Sequence, residues 1–253
     1  MHPGKQIRLN RIFHRDGRSV VVAMDHGLPG ITPLAGLQKP ANLLAQVEAG
    51  GADAILTTPG IAAHFAANLG KLGLILRLDG AATMVGNGSG EMRLIASVED
   101  ALALGADAVA VMGFCGTEDE ANSLEILGHV AGECRRLGMP LLAEMLPLGY
   151  GASPSMTQLV QSARIGAEMG ADIIKLPYLG PAQDYQAVID TCFVPVLVLG
   201  GGAKDEASVL DDIRQAMSAG AAGVAIGRNV WTQADATRIT QAIVQSVHGE
   251  ERS

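Results

Sequence analysis

A short phrase that recurs four times constrains this chain more than any other feature. Gly50-Gly51-Ala52-Asp53-Ala54-Ile55-Leu56 returns as Gly105-Ala106-Asp107-Ala108-Val109-Ala110-Val111 and as Gly170-Ala171-Asp172-Ile173-Ile174-Lys175-Leu176. Its last copy is Gly220-Ala221-Ala222-Gly223-Val224-Ala225-Ile226. Each copy reads as a glycine closing a helix, followed by a short apolar strand. Counted from Gly51, the copies start 54, 65 and 50 residues apart, which leaves room for two βα units per interval. Between the copies lie other short apolar runs, mostly bounded by Gly or Pro, at residues 19–24, 74–78, 140–144 and 194–199. Interleaving predicts eight strands, near residues 20, 54, 74, 108, 141, 173, 196 and 223.

Helical patterns fill the gaps, at residues 41–49, 61–69, 97–104, 118–137, 156–169, 183–191, 206–219 and 234–247. Continuous apolar strands alternating with helices mean a parallel sheet covered on both faces. Eight such units in 253 residues predict an α/β fold with one domain, a (β/α)8 TIM barrel over residues 1–253. Short flexible tails are expected at both ends, the C-terminal one being the polar stretch 249–253. An open doubly wound sheet would need a glycine-rich turn after its first strand, and Met24-Asp25-His26-Gly27 is not one.

Composition removes several function classes. The net charge of −8 and 3% aromatic content argue against binding nucleic acid. The apolar run at residues 20–24 stops at Asp25, far short of a bilayer span, so no membrane association is expected, and the mean hydropathy of +0.26 is assigned to buried strands and Ala-rich helices. Three widely spaced cysteines give neither a disulfide framework nor a metal pattern, which points to a cytoplasmic location. No histidine pair has metal-ligand spacing, so no metal is expected.

In barrels of this kind, chemistry sits where strands run out into βα loops. The polar residues there are Asp25 and His26 after strand 1, Thr57 and Thr58 after strand 2, and Arg77 and Asp79 after strand 3. Glu144 follows strand 5, and Lys175 lies within strand 6. A lysine inside an apolar strand is either paired or neutral, and a desolvated neutral amine is a nucleophile for carbonyls. The alternative is a strand-end lysine paired with Glu144 or Asp25. Asp25 suits proton transfer or a substrate hydroxyl, or else an ion pair with Lys175. Arg77 is either a substrate anchor or half of a salt bridge with Asp79. Two glycine loops, Gly200-Gly201-Gly202 after strand 7 and Gly227-Arg228-Asn229 after strand 8, have the position and the freedom to cradle a phosphate. Arg228 adds a guanidinium that can grip it in bidentate fashion.

These residues carry a resemblance. Met24-Asp25-His26-Gly27, Asp172-Ile173-Ile174-Lys175, Gly200-Gly201-Gly202 and residues 223–231 resemble the class I aldolases of the archaeal fructose-bisphosphate aldolase type. These group with deoxyribose-phosphate aldolase, the autoinducer-2 thiolase and the 2-amino-3,7-dideoxy-threo-hept-6-ulosonate synthases. The stretch from Ser97 to Ala143 looks most like the heptulosonate-synthase branch. The resemblance covers nearly the whole chain. It implies a Schiff-base lysine at Lys175 and a role for Asp25 in substrate binding and proton handling. It also implies phosphate contacts at Gly201, Gly202, Gly227 and Arg228, no cofactor or metal, and a homo-oligomer. The family's strand 5 usually ends in Tyr-Pro-Arg-Gly, with the tyrosine as general acid/base. Here Leu146-Pro147-Leu148-Gly149 stands in its place. Glu144, on the same side of the strand, and Tyr150, four residues beyond Leu146, are the candidate replacements.

The expected activity is therefore a metal-independent, class I aldolase-like lyase or transferase acting on a phosphorylated ketose-like substrate. Lys175, Asp25 and Glu144 are its catalytic residues, and His26, Arg77, Gly201, Gly202, Gly227 and Arg228 bind substrate. Two other readings stay open. One is a phosphosugar isomerase or epimerase that moves protons without an imine, and the other is a barrel that only binds a phosphometabolite.

Overall fold

The computed structural model describes residues 2–31, 34–80, 83–85 and 91–249. Eight parallel strands close into a barrel in chain order. They are β1 (Ser19–Ala23), β2 (Ala54–Thr57), β3 (Gly73–Arg77), β4 (Ala108–Gly113), β5 (Leu141–Met145), β6 (Ile173–Pro177), β7 (Val196–Leu199) and β8 (Gly223–Ile226). β8 pairs back onto β1, with Ser19 opposite Gly223. The (β/α)8 barrel expected from the repeats is the observed fold. A two-residue antiparallel pairing, Asp79–Gly80 with Arg93–Leu94, sits above β3.

The repeated phrase now has a physical meaning. Gly51, Gly105, Gly170 and Gly220 all adopt positive φ, between +75° and +104°, at the turn from helix to strand, a region costly for other L residues. The aspartates beside them bind the neighbouring strand. Asp53 accepts from the Val20 N–H at 2.7 Å, Asp107 from Leu74 at 3.1 Å and Asp172 from Leu141 at 2.9 Å. Each carboxylate therefore fixes the register of its strand against the one before it. The fourth copy has Ala222 instead, whose carbonyl accepts from the Ser19 N–H at 3.0 Å and closes the ring.

The side chains divide by strand parity. Val21, Ala23, Ala54, Leu56, Ile75, Ala108, Ala110, Leu142, Ile173, Leu197 and Ala225 fill the barrel interior. Their odd or even alternates, such as Val20, Val22, Ile55, Leu74, Val109 and Ile174, pack outward against the helices. Ser97 and Ser155 each close a reciprocal capping box on the helices Val98–Ala103 and Met156–Glu168.

One expectation is corrected. The N-terminal stretch is a helix, Pro3–Ile12, and not a flexible tail. Its Ile12, with Leu9 and Phe13, stoppers the lower end of the barrel. Lys5 pairs with Asp172 at 2.8 Å and Arg11 with Asp107 at 3.0 Å, so the repeat's aspartates also hold this plug in place. Of the C-terminal tail, residues 250–253 lie outside the described residues. All three cysteines are buried and unbridged. Among the described residues, no helix is long and apolar enough to cross a membrane.

Candidate active site

The parity that fills the barrel also builds the site. Two residues beyond Ile75 in β3 stands Arg77, two beyond Leu142 in β5 stands Glu144, and two beyond Ile173 in β6 stands Lys175. Asp25 follows Ala23 by the same step. The interior thus changes from an apolar floor to a charged layer within one pleat repeat, at the end where the strands finish. Asp25, His26, Arg77, Asp79, Glu144, Tyr150 and Lys175 line a single cleft there. The cavity itself is small, about 70 Å³, and it opens to solvent at its mouth.

Lys175 is only 4% exposed, and its Nζ lies 2.8 Å from Glu144 Oε1. The two stand opposite each other in the β5–β6 register. Arg77 binds the other oxygen of Glu144 through Nη2, Asp25 Oδ2 through Nε at 3.0 Å and Asp79 Oδ1 through Nη1 at 3.3 Å. Burial alone would lower the Arg77 pKa, but Glu144, Asp25 and Asp79 together hold it well above its usual value. Burial would raise Glu144, yet Lys175 and Arg77 outweigh it and keep this carboxylate ionised and low. Asp79 goes the other way: its complete burial pushes it up, despite Arg77 and a 2.5 Å hydrogen bond from the Met112 N–H. Arg77 was open between substrate anchor and salt bridge. It is the hub of a buried ion-pair network.

The strand-5 departure is visible in space. Leu146 packs with Met92, Met112 and Phe114, leaving that wall apolar. The chain then turns sharply, with the Gly149 N–H donating to the Leu146 carbonyl at 3.0 Å and Leu148 in the left-handed region at φ +64°. This reversal carries Tyr150 back to the cleft, its ring edge-on to Phe114 with centroids 5.3 Å apart. Tyr150 is 53% exposed overall, and partial desolvation together with the nearby Glu144 pushes its phenol pKa up, so it is protonated at neutral pH.

The two glycine loops lie together. Asn229, fully buried, accepts from the Lys204 N–H at 2.8 Å and donates to the Gly200 carbonyl at 2.7 Å, tying the loop after β7 to the short helix Arg228–Trp231 after β8. Gly201 has φ +63°, and nothing stands within 4 Å of a side chain placed there or at Gly202. A Cβ at Gly227 would lie 2.5 Å from His26 Cε1 and 2.8 Å from the Ala23 carbonyl oxygen. His26 thus connects the cleft to the loops, its ring against Trp231. Its burial pushes its pKa down, against the pull of Asp25. Arg228 Nε is out of solvent and has no hydrogen-bond partner. Sequence reasoning missed the stapling role of Asn229, although it follows directly on the Gly227-Arg228 pair. Thr57, placed after strand 2 by the sequence, is instead the last residue of β2 and is buried.

The profile of the DeoC/LacD family aldolases matches residues 19–233. The chain belongs to that family. The sequence of this aldolase is 38% identical over 248 residues to the 2-amino-3,7-dideoxy-D-threo-hept-6-ulosonate synthase of Halobacterium salinarum, covering 98% of this chain and 92% of the relative. An archaeal fructose 1,6-bisphosphate aldolase crystal structure superposes with a TM-score of 0.86 at 30% identity, covering 97% of this chain and 99% of that one. An archaeal fructose-1,6-bisphosphate aldolase with its catalytic lysine covalently bound to the carbinolamine intermediate also superposes at 0.86 and 30% identity, over 97% of this chain and 100% of that one. The family resemblance, the barrel and aldolase-type chemistry inferred from the sequence are thereby established.

Proposed function

We propose that this aldolase makes or breaks a carbon–carbon bond in a phosphorylated ketose-like substrate through a Schiff base on Lys175. The observation that carries the reading is a buried lysine within β6 that lines an open cleft and touches a carboxylate. When substrate displaces water from the cleft, the ammonium proton of Lys175 passes to Glu144 across the 2.8 Å contact, and the free amine adds to the ketone carbon. Glu144 returns that proton to the carbinolamine oxygen, which leaves as water, and the resulting iminium withdraws electrons from the adjacent bond. Asp25 takes the proton of the substrate hydroxyl beside that bond as it breaks. Tyr150 then donates a proton to the enamine carbon, the task of the tyrosine replaced by Leu146. Arg77 holds Asp25 and Glu144 in place and does not itself grip the phosphate.

The phosphate sits on the Gly201, Gly202 and Gly227 N–H groups and takes up the Arg228 guanidinium, whose Nε is buried without a partner. Incubation with dihydroxyacetone phosphate in heavy water tests the reading. An enamine exchanges one hydrogen on the hydroxymethyl carbon, and this exchange, followed by nuclear magnetic resonance, is expected to vanish in Lys175→Met. The close pairing of Lys175 with Glu144 also suits an isomerase in which Glu144 is the base and Lys175 only stabilises an enediolate. Exchange that persists in Lys175→Met but not in Glu144→Gln favours that alternative.

A further inference from the structure

At the opposite, lower end of the barrel, residues from both ends of the chain converge. His14 and Asp16 lie on a tight turn before β1, closed by the Gly17 N–H donating to the His14 carbonyl at 2.9 Å. His248 is the last residue of the helix Ala236–His248, and its ring is edge-on to that of His14 with centroids 5.2 Å apart. His248 Nδ1 is 2.7 Å from Asp16 Oδ2, and His14 Nδ1 is 3.5 Å from Asp16 Oδ1. The three residues can present donor atoms all within 4.8 Å of one another.

We propose that His14, Asp16 and His248 form a divalent metal site, best suited to zinc. Zinc takes imidazole nitrogens and carboxylate oxygens at about 2.0–2.2 Å in a tetrahedron, which spaces adjacent donors by roughly 3.3 Å. His248 Nδ1 and Asp16 Oδ2 now share a hydrogen bond at 2.7 Å, so a bound ion replaces that bond and spreads the two groups to the tetrahedral spacing, with all three donors already within 4.8 Å of one another. Two further observations point to a ligand. His14 Nδ1 is shielded from solvent and has no hydrogen-bond partner, a cost that a bound cation removes. His248 is already oriented from behind: its Nε2 lies 3.0 Å from Asp53 Oδ2, and Asp53 is itself fixed by the Val20 N–H at 2.7 Å. A carboxylate on the far ring nitrogen is how proteins set the tautomer and angle of a metal-bound histidine.

Asp16 is exposed and its Oδ1 accepts from the Arg18 N–H at 2.9 Å, while the Arg18 side chain turns away to the Val247 carbonyl. Oδ2 and a solvent molecule then face the ion. The metal would tie the end of the last helix to the lead-in of the first strand, at the seam where β8 closes on β1. Spacing rules do not see this set, because its third ligand lies at the other end of the chain.

The test is zinc binding to full-length protein stripped with a chelator, measured by competition with a chromophoric zinc indicator, together with thermal melts with and without zinc and the visible absorption of a cobalt(II) form. One zinc per chain is expected, with a rise in melting temperature and tetrahedral cobalt bands. His14→Ala and Asp16→Asn, both on an accessible turn, should each weaken zinc by about tenfold or more and abolish the zinc-dependent rise. Circular dichroism of the zinc-free variants should match the parent. Absence of saturable zinc binding in the parent, or unchanged binding in both variants, would overturn the assignment.

Discussion

Replacing Glu144 by glutamine keeps the shape of a side chain that meets both Lys175 and Arg77 but removes its charge. With the Nζ–Oε1 contact at 2.8 Å, the centres of charge lie roughly 4 Å apart. At the effective dielectric of a protein interior, that separation is worth about 4 kcal/mol before desolvation is counted. Breaking one side of such a buried pair typically costs about 3–5 kcal/mol, because an uncompensated charge is left behind. Taking about 3 kcal/mol and the usual scaling for a chain of this size, Glu144→Gln should lower the melting temperature by roughly 6–12 °C. Lys175→Met should cost less, since Glu144 keeps Arg77. The double variant should be no less stable than Glu144→Gln alone, giving a coupling energy of about 2–4 kcal/mol. Thermal and urea denaturation of the four proteins measure it. A coupling below about 0.5 kcal/mol is what a solvated pair gives, and it would refute the dry, paired lysine on which the chemistry is built.

Three other outcomes follow from the same geometry. Tyr150→Phe should retain Schiff-base formation but lower kcat for complete turnover by roughly 10²–10⁴, the range for losing a general acid, and unchanged turnover would remove Tyr150 from the mechanism. Gly227→Ala must push its methyl into the Ala23 carbonyl and the His26 ring, so it should cost about 1–3 kcal/mol in stability and raise KM for phosphorylated substrate; parental values for both would contradict the cradle. Burial depresses the His26 pKa below 6.5 in the folded chain, so the unfolded chain binds the proton more readily, and the stability that neutral His26 retains above pH 6.5 is lost as pH falls through the depressed value. The stability advantage of the parent over His26→Asn should therefore shrink between pH 7 and pH 5, and a difference independent of pH would show that His26 is not buried as described.

The barrel was legible because strand and helix alternate with the repeated glycine phrase, and because parallel strands buried on both faces are continuously apolar. The work of the repeat's aspartates was not legible. Their bonds to Val20, Leu74 and Leu141 depend on which strand lies alongside, and that is a property of register. Helix Pro3–Ile12 escaped for a related reason. It is a polar segment whose anchors, Asp107 and Asp172, face it only once the lower rim is assembled. At the other rim, Lys175, Glu144 and Asp25 could be picked out by their place at strand ends. The triple pairing of Arg77 could not, since its three carboxylates come from different segments of the chain. Tyr150 was in view but unplaced, because only the reversal at Leu146–Gly149, with Leu148 in a conformation that L residues rarely adopt, returns it to the cleft.

The central claim is that Lys175 forms a covalent imine with a phosphorylated ketone. Borohydride reduction in the presence of dihydroxyacetone phosphate, followed by peptide mass mapping, tests it most directly. The account predicts a stable adduct with the mass of the reduced ligand on the peptide containing Lys175, and none in Lys175→Ala. An unmodified Lys175 peptide at saturating ligand, or an adduct that survives the substitution, would contradict it.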